Sequence, residues 1–161
     1  MPIEYVTGDA TAPRGDGNAI ICHVCNDVGG WGKGFVVAIS KRWREPETAY
    51  RAWFAGRANN DFALGSVQLV QVEPTVWVAN MVAQAGMHPK NGLPPIRYEA
   101  VSACLAKVGV HAEKHAASLH MPRIGCGLAG GKWEQIEPLI EAELLSRGLR
   151  VWVYDLERTP S

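Results

Sequence analysis

Two short stretches concentrate the residues best suited to gripping an anion. Gly29, Gly30, Gly32 and Gly34 fall in one six-residue window and Gly125, Gly127, Gly130 and Gly131 in one of seven, so together they hold eight of the 17 glycines. Each window follows a segment that reads as a strand and opens one that reads as a helix. In that setting bare backbone amides and a helix N-terminus can wrap a phosphate, and two such loops suit a diphosphate. Glycine also serves tight strand-to-helix turns with no ligand at all, but the coincidence of two windows shifts the balance toward binding. Gly125-Cys126-Gly127-Leu128-Ala129-Gly130 fits G-x-G-x-x-G, yet only about one further strand follows it, which disfavours a dinucleotide-dependent dehydrogenase. Gly131-Lys132-Trp133 imitates the end of a P-loop, but Cys126 stands where its first glycine belongs and Trp133 where the magnesium-binding hydroxyl belongs, which disfavours an ATPase.

Other reactive residue types carry weaker signals. Cys22-His23-Val24-Cys25 has the spacing of a metal or redox pair, but residues three apart on a strand point to opposite faces, so no metal site is expected. His23 has the acid–base range of a proton carrier, set against the commoner fate of a strand histidine, a packed and hydrogen-bonded place in the core. His111-Ala112-Glu113 lacks the P-C-x-x-C that would complete a zinc deaminase site.

The elements that must position these loops follow from the periodicity. Ile3 to Thr7 and Ala19 to Cys25 read as strands, Phe35 to Trp43 and Glu47 to Phe54 as helices. Val67 to Val72 and Val76 to Ala83 read as an antiparallel pair, because Glu73-Pro74-Thr75 is too short for a crossover. An irregular loop from Met87 to Pro95 precedes a long helix from about Ile96 to Ala116, then a strand at Ser118 to Met121, a helix from Trp133 to Ser146 and a last strand at Arg150 to Tyr154. Strands separated by helices predict an α/β fold with a partly parallel sheet covered on both faces and a ligand crevice beyond the strand C-termini.

Length and composition agree with one domain over residues 1–161. The 161 residues carry 16 basic and 16 acidic side chains, and 47% are hydrophobic. The balanced charge gives no electrostatic reason for nonspecific binding to nucleic acid or membrane. No apolar run reaches membrane-helix length and Met1-Pro2-Ile3-Glu4 lacks the features of a secretory signal, so a soluble, cytoplasmic protein is expected. Four scattered cysteines predict neither a disulfide framework nor a disulfide-linked partner, and a monomer is expected.

Three segments resemble the macrodomain family. Val6-Thr7-Gly8-Asp9-Ala10-Thr11 is similar to its G-D-[IA]-T opening, His23 to Gly34 resembles its first ligand loop and His120 to Leu128 its second. The likeness covers nearly the whole chain and is greatest to the branch holding the terminal ADP-ribose protein glycohydrolase, an ADP-ribose-1''-phosphate phosphatase and the macro module of a chromatin remodeller. It implies a three-layer fold with a six-stranded mixed sheet between helices, and ADP-ribose or an ADP-ribosylated macromolecule as partner, with no cofactor. By position, Asp9 would receive the adenine amino group and the Ala10 amide would face the ring. Trp31 would close over the distal ribose or fill the space under its loop. Gly32, Lys33 and Gly34 would border the diphosphate or distal ribose, and Gly125, Cys126, Gly127 and Leu128 would supply amides from the other side.

The resemblance also implies what chemistry is missing. Val36 stands about where one hydrolase branch holds an aspartate, and Gln84 and Ala129 where the glycohydrolase branch holds a lysine and an aspartate. Without the amine no Schiff base forms, unless Lys90 in its loop reaches in. A noncovalent route is left, in which Gln84, Asn26 or Asp27 orients a water or polarises the distal ribose while the diphosphate assists, with His23 as a secondary acid or base. An ADP-ribosyl hydrolase is the expectation; a phosphatase acting on ADP-ribose-1''-phosphate and a non-catalytic reader use the same pocket.

Overall fold

The computed structural model describes residues 2–156. Six strands, β1 (Glu4–Thr7), β2 (Ala19–Asn26), β3 (Val67–Glu73), β4 (Val76–Gln84), β5 (Ser118–Met121) and β6 (Val151–Asp155), form one sheet in the order β1-β6-β5-β2-β4-β3. All neighbours run parallel except β3 and β4. The antiparallel pair turns at Pro74 and Thr75, as its short connection predicts. The α-helices are α1 (Phe35–Arg42), α2 (Glu45–Ala55), α3 (Tyr98–His115) and α4 (Trp133–Glu143).

Alternation along β2 and β4 divides the core in two. Ile20, Cys22, Ala79, Met81 and Ala83 face α3 and α4 in the larger cluster, while Ile21, Cys25, Val78 and Val82 face α1 and α2 in the smaller one. Strands buried on both faces read as continuous apolar runs, which is why β2 and β4 are so uniformly hydrophobic. Cys22 and Cys25 accordingly lie on opposite faces of the sheet.

Helix ends fall close to the expected places. Ala116 closes α3 in the left-handed conformation (φ 50°), and α4 ends at Glu143, with a short 3-10 turn over Leu145–Arg147 leading to the left-handed Gly148. Among the described residues no helix is long and apolar enough to cross a membrane.

Candidate functional site

Both glycine loops leave the C-terminal ends of parallel strands, β2 and β5, which are hydrogen-bonded neighbours. They therefore meet. A Cβ built on Gly34 would lie 3.7 Å from Leu128 Cδ1, in van der Waals contact across the two loops. Between them run two adjoining cavities of about 210 and 300 Å³ that share Val24, Lys33, Val36, Gln84 and Leu128. The first also holds His23, Phe35, Arg123, Gly125 and Gly127; the second continues past Asn26, Gly30 and Gly32 to Met87, His88 and Pro89. Joined, they make a cleft of the size that small molecules occupy. Lys33 and Arg123 lie on its walls, and the described lining includes no carboxylate.

The glycines divide into two kinds. Gly29, Gly34, Gly125 and Gly130 have φ between 73° and 85°, which only glycine adopts without strain, and a Cβ on Gly29 would collide with Phe54. Gly32 and Gly127 are different: neither is left-handed, both are exposed, and a Cβ on either would meet nothing within 4 Å. Neither the turn nor packing requires glycine there, and both line the cleft. Gly34 is also the N-cap of α1, whose first turn carries no acidic residue, so its N-terminal dipole is left to the cleft.

The polar residues of the first loop are committed to holding it. Asn26 Oδ1 accepts from the amides of Val28 (3.0 Å) and Gly30 (2.9 Å) and from Tyr50 Oη (3.0 Å), while its Nδ2 donates to the Gly30 carbonyl (2.9 Å). Asp27 Oδ1 accepts from the Gly86 amide at 2.8 Å, tying this loop to the one after β4. Asn26 is thereby scaffold; Asp27 gives one oxygen to the same task and lies outside the lining of both cavities. From outside, Arg51 donates to the Gly29 and Trp31 carbonyls (3.4 and 3.5 Å) and pairs with Glu47.

Of the two fates open to each, His23 and Trp31 take the packed one. His23 is 1% exposed, and its Nε2–H donates to Asn80 Oδ1 at 2.5 Å. That Asn80 orientation is fixed because its Nδ2 donates to Pro46 O and Gln68 Oε1. Burial pushes the imidazole pKa down to about 4, only partly opposed by the Asn80 bond. His23 floors the cleft as a neutral ring. Trp31 is buried, donates Nε1–H to Ser40 Oγ at 2.8 Å and packs against His23 and Tyr50, so it props the loop from below and is no lid. In the second loop the Cys126 amide turns back to the Arg123 carbonyl (3.2 Å), so it does not serve a ligand as expected.

Neither Asp9 nor Ala10 is in the lining of the two cavities; Phe35 links them to the first. Ala10 is buried in a small cluster with Trp152 and Tyr154 against which Phe35 packs, and Phe35 lines the first cavity. Asp9 is exposed; its Oδ1 accepts from Thr11 N (2.8 Å) and Oγ1 (2.7 Å), the bonds of an Asx turn. Gln84 lines both cavities and donates Nε2–H to the Gly86 carbonyl at 3.0 Å. Lys90 lies outside the lining of both, and Ala129 is buried in the first. The sequence reading missed Arg123 and Phe35 as wall residues, although both lie beside the glycine windows, which was the available signal.

No protein-family model matches the chain. It is 34% identical over 166 residues to a chromodomain-helicase-DNA-binding protein 1-like of Mus musculus, a match covering 98% of this chain and 18% of that protein's length. A Candida albicans protein named ADP-ribose 1''-phosphate phosphatase is 22% identical over 147 residues, covering 86% of this chain and 92% of that one. Among solved structures, a mutant macrodomain of Oceanobacillus iheyensis holding ADPR superposes with TM-score 0.67 at 18% identity, covering 94% of this chain and 83% of that one. A macrodomain protein of Streptomyces coelicolor superposes with TM-score 0.86 at 58% identity, covering 95% of this chain and 98% of that one. With that identity over nearly the full length of both, the chain belongs to the macrodomain family.

Proposed function

We propose that the cleft binds ADP-ribose, and that the protein hydrolyses the bond joining ADP-ribose to a modified protein or nucleic acid. The observation that carries the binding reading is the meeting of the two glycine loops on one cleft, with Gly32 and Gly127 presenting bare backbone where neither turn nor packing asks for it. Main-chain amides and the N-terminus of α1 suit a diphosphate, and Lys33 complements its charge. The structure holding ADPR in the same fold supports this ligand.

The hydrolytic half rests on Gln84. With Asn26 and His23 engaged elsewhere and Asp27 outside the lining of both cavities, Gln84 is the expected catalytic residue that faces the cleft with spare capacity. One amide hydrogen goes to Gly86, which leaves a second donor and the carboxamide oxygen for a ribose hydroxyl or an attacking water. No lysine occupies this position, so the route is noncovalent. The phosphatase reading has its own support in the name of the Candida albicans relative.

The test incubates the protein separately with ADP-ribosylated protein, ADP-ribosylated nucleic acid and ADP-ribose-1''-phosphate, with parallel calorimetry on ADP-ribose. Release of ADP-ribose from one of the modified macromolecules is expected, slowed by Gln84→Ala about 10- to 100-fold with binding retained. Phosphate release alone would replace the hydrolase with the phosphatase; tight binding without any turnover would leave a reader. No binding would overturn the whole assignment.

A further inference from the structure

Arg123 is held like no other side chain of the cleft. Its Nε and Nη2 donate to the two carboxylate oxygens of Asp155 at 2.7 and 3.0 Å. Its Cζ lies 5.1 Å from the Tyr5 ring centroid and 5.2 Å from that of Trp133. Those rings meet edge to face with centroids 6.3 Å apart, far short of the sum of the two separations, so they lie to one side of the guanidinium and do not sandwich it. Trp133 Nε1–H donates to Tyr5 Oη, which in turn donates to Glu137, so the backing is itself fixed. The side chain remains 40% exposed and lines the cavity that contains Phe35.

Asp155 also sets where this plate stands. Its carbonyl accepts from the Gly8 amide at 2.8 Å while its carboxylate holds Arg123, so Asp9 and Arg123 are tethered to the same strand end. Because the carboxylate already neutralises much of the guanidinium charge, what Arg123 offers a ligand is a rigid planar cation face. Such a face stacks on aromatic rings.

Resting on the reading of the cleft as an ADP-ribose site, we infer that Arg123 is the stacking platform for the nucleobase, opposite in role to Asp9, whose carboxylate selects among bases. Stacking tolerates any base; a hydrogen bond to the adenine amino group does not.

Calorimetry with ADP-ribose and with its hypoxanthine counterpart tests this on the wild type, Arg123→Lys, Arg123→Ala and Asp155→Ala. Arg123→Lys and Arg123→Ala should each weaken both ligands by about tenfold, because lysine keeps the charge and loses the plane. Asp155→Ala should also weaken binding, since it loosens the plate while unmasking the cation. Wild-type affinity in Arg123→Lys, or tighter binding in Asp155→Ala, would show that Arg123 acts as a point charge and overturn the inference. A wild type that fails to bind ADP-ribose would overturn the cleft assignment itself.

Discussion

His23 reaches the floor of the cleft with an imidazole already donating to Asn80, and burial holds it neutral far below its usual range. His120 is in the same state: it is 0% exposed, bonded to Ser118 Oγ (2.8 Å) and Tyr154 Oη (2.7 Å) and stacked on Trp152, and burial pushes its pKa to about 4. These two residues tie stability to pH. Between the ordinary value of 6.5 and about 4, the unfolded chain takes up a proton on each ring and the folded chain does not. The stabilisation is thus complete above that window and lost as pH falls through it. Urea unfolding at pH 7 and pH 5 should show a loss on the order of 4 kcal/mol from the pair; an unchanged midpoint would mean that both rings protonate in place.

The two loops show how similar residues at neighbouring positions do different work. Gly125 has φ 73°, and a Cβ there would approach Ile96 Cδ1 to 2.7 Å. Gly125→Ala should therefore destabilise the protein by about 1–2 kcal/mol from the left-handed conformation alone. Gly127→Val meets open space, so its stability should stay within about 0.5 kcal/mol of wild type. Its ADP-ribose affinity should nonetheless fall at least about tenfold, because the side chain would stand where a diphosphate approaches. Chemical melts with calorimetry check both, and the opposite pattern would mean that Gly127 is only a turn residue. The elements bearing these loops were legible in the sequence because the period changes from two to helical at each strand-to-helix turn. The anchoring was not, since Asn26 is read by Tyr50, Asp27 by Gly86 and Arg123 by Asp155, partners far away along the chain. Trp31 was ambiguous for the same reason: only the packing of Tyr50 and Ser40 beneath the loop decides which way it turns.

At the scale of the whole molecule, the topology makes the cleft. Placing β5 beside β2 at the centre of the sheet brings both loops to one edge, and placing β6 between β1 and β5 sets the strand ends that precede Asp9 and Arg123 on either side of Asp155. The cleft therefore runs from the cavity of Phe35 and Arg123, through Lys33, Gln84 and Leu128 where the two cavities join, to Met87 and His88. A ligand with a base, a diphosphate and a terminal sugar matches that sequence of environments in order. Hydrogen exchange with and without saturating ADP-ribose tests this most directly, because one bridging diphosphate must engage both loops together. Slower exchange is predicted at once in residues 29–34 and 125–128, with one ligand per chain; protection of a single loop, or of neither, would contradict the account.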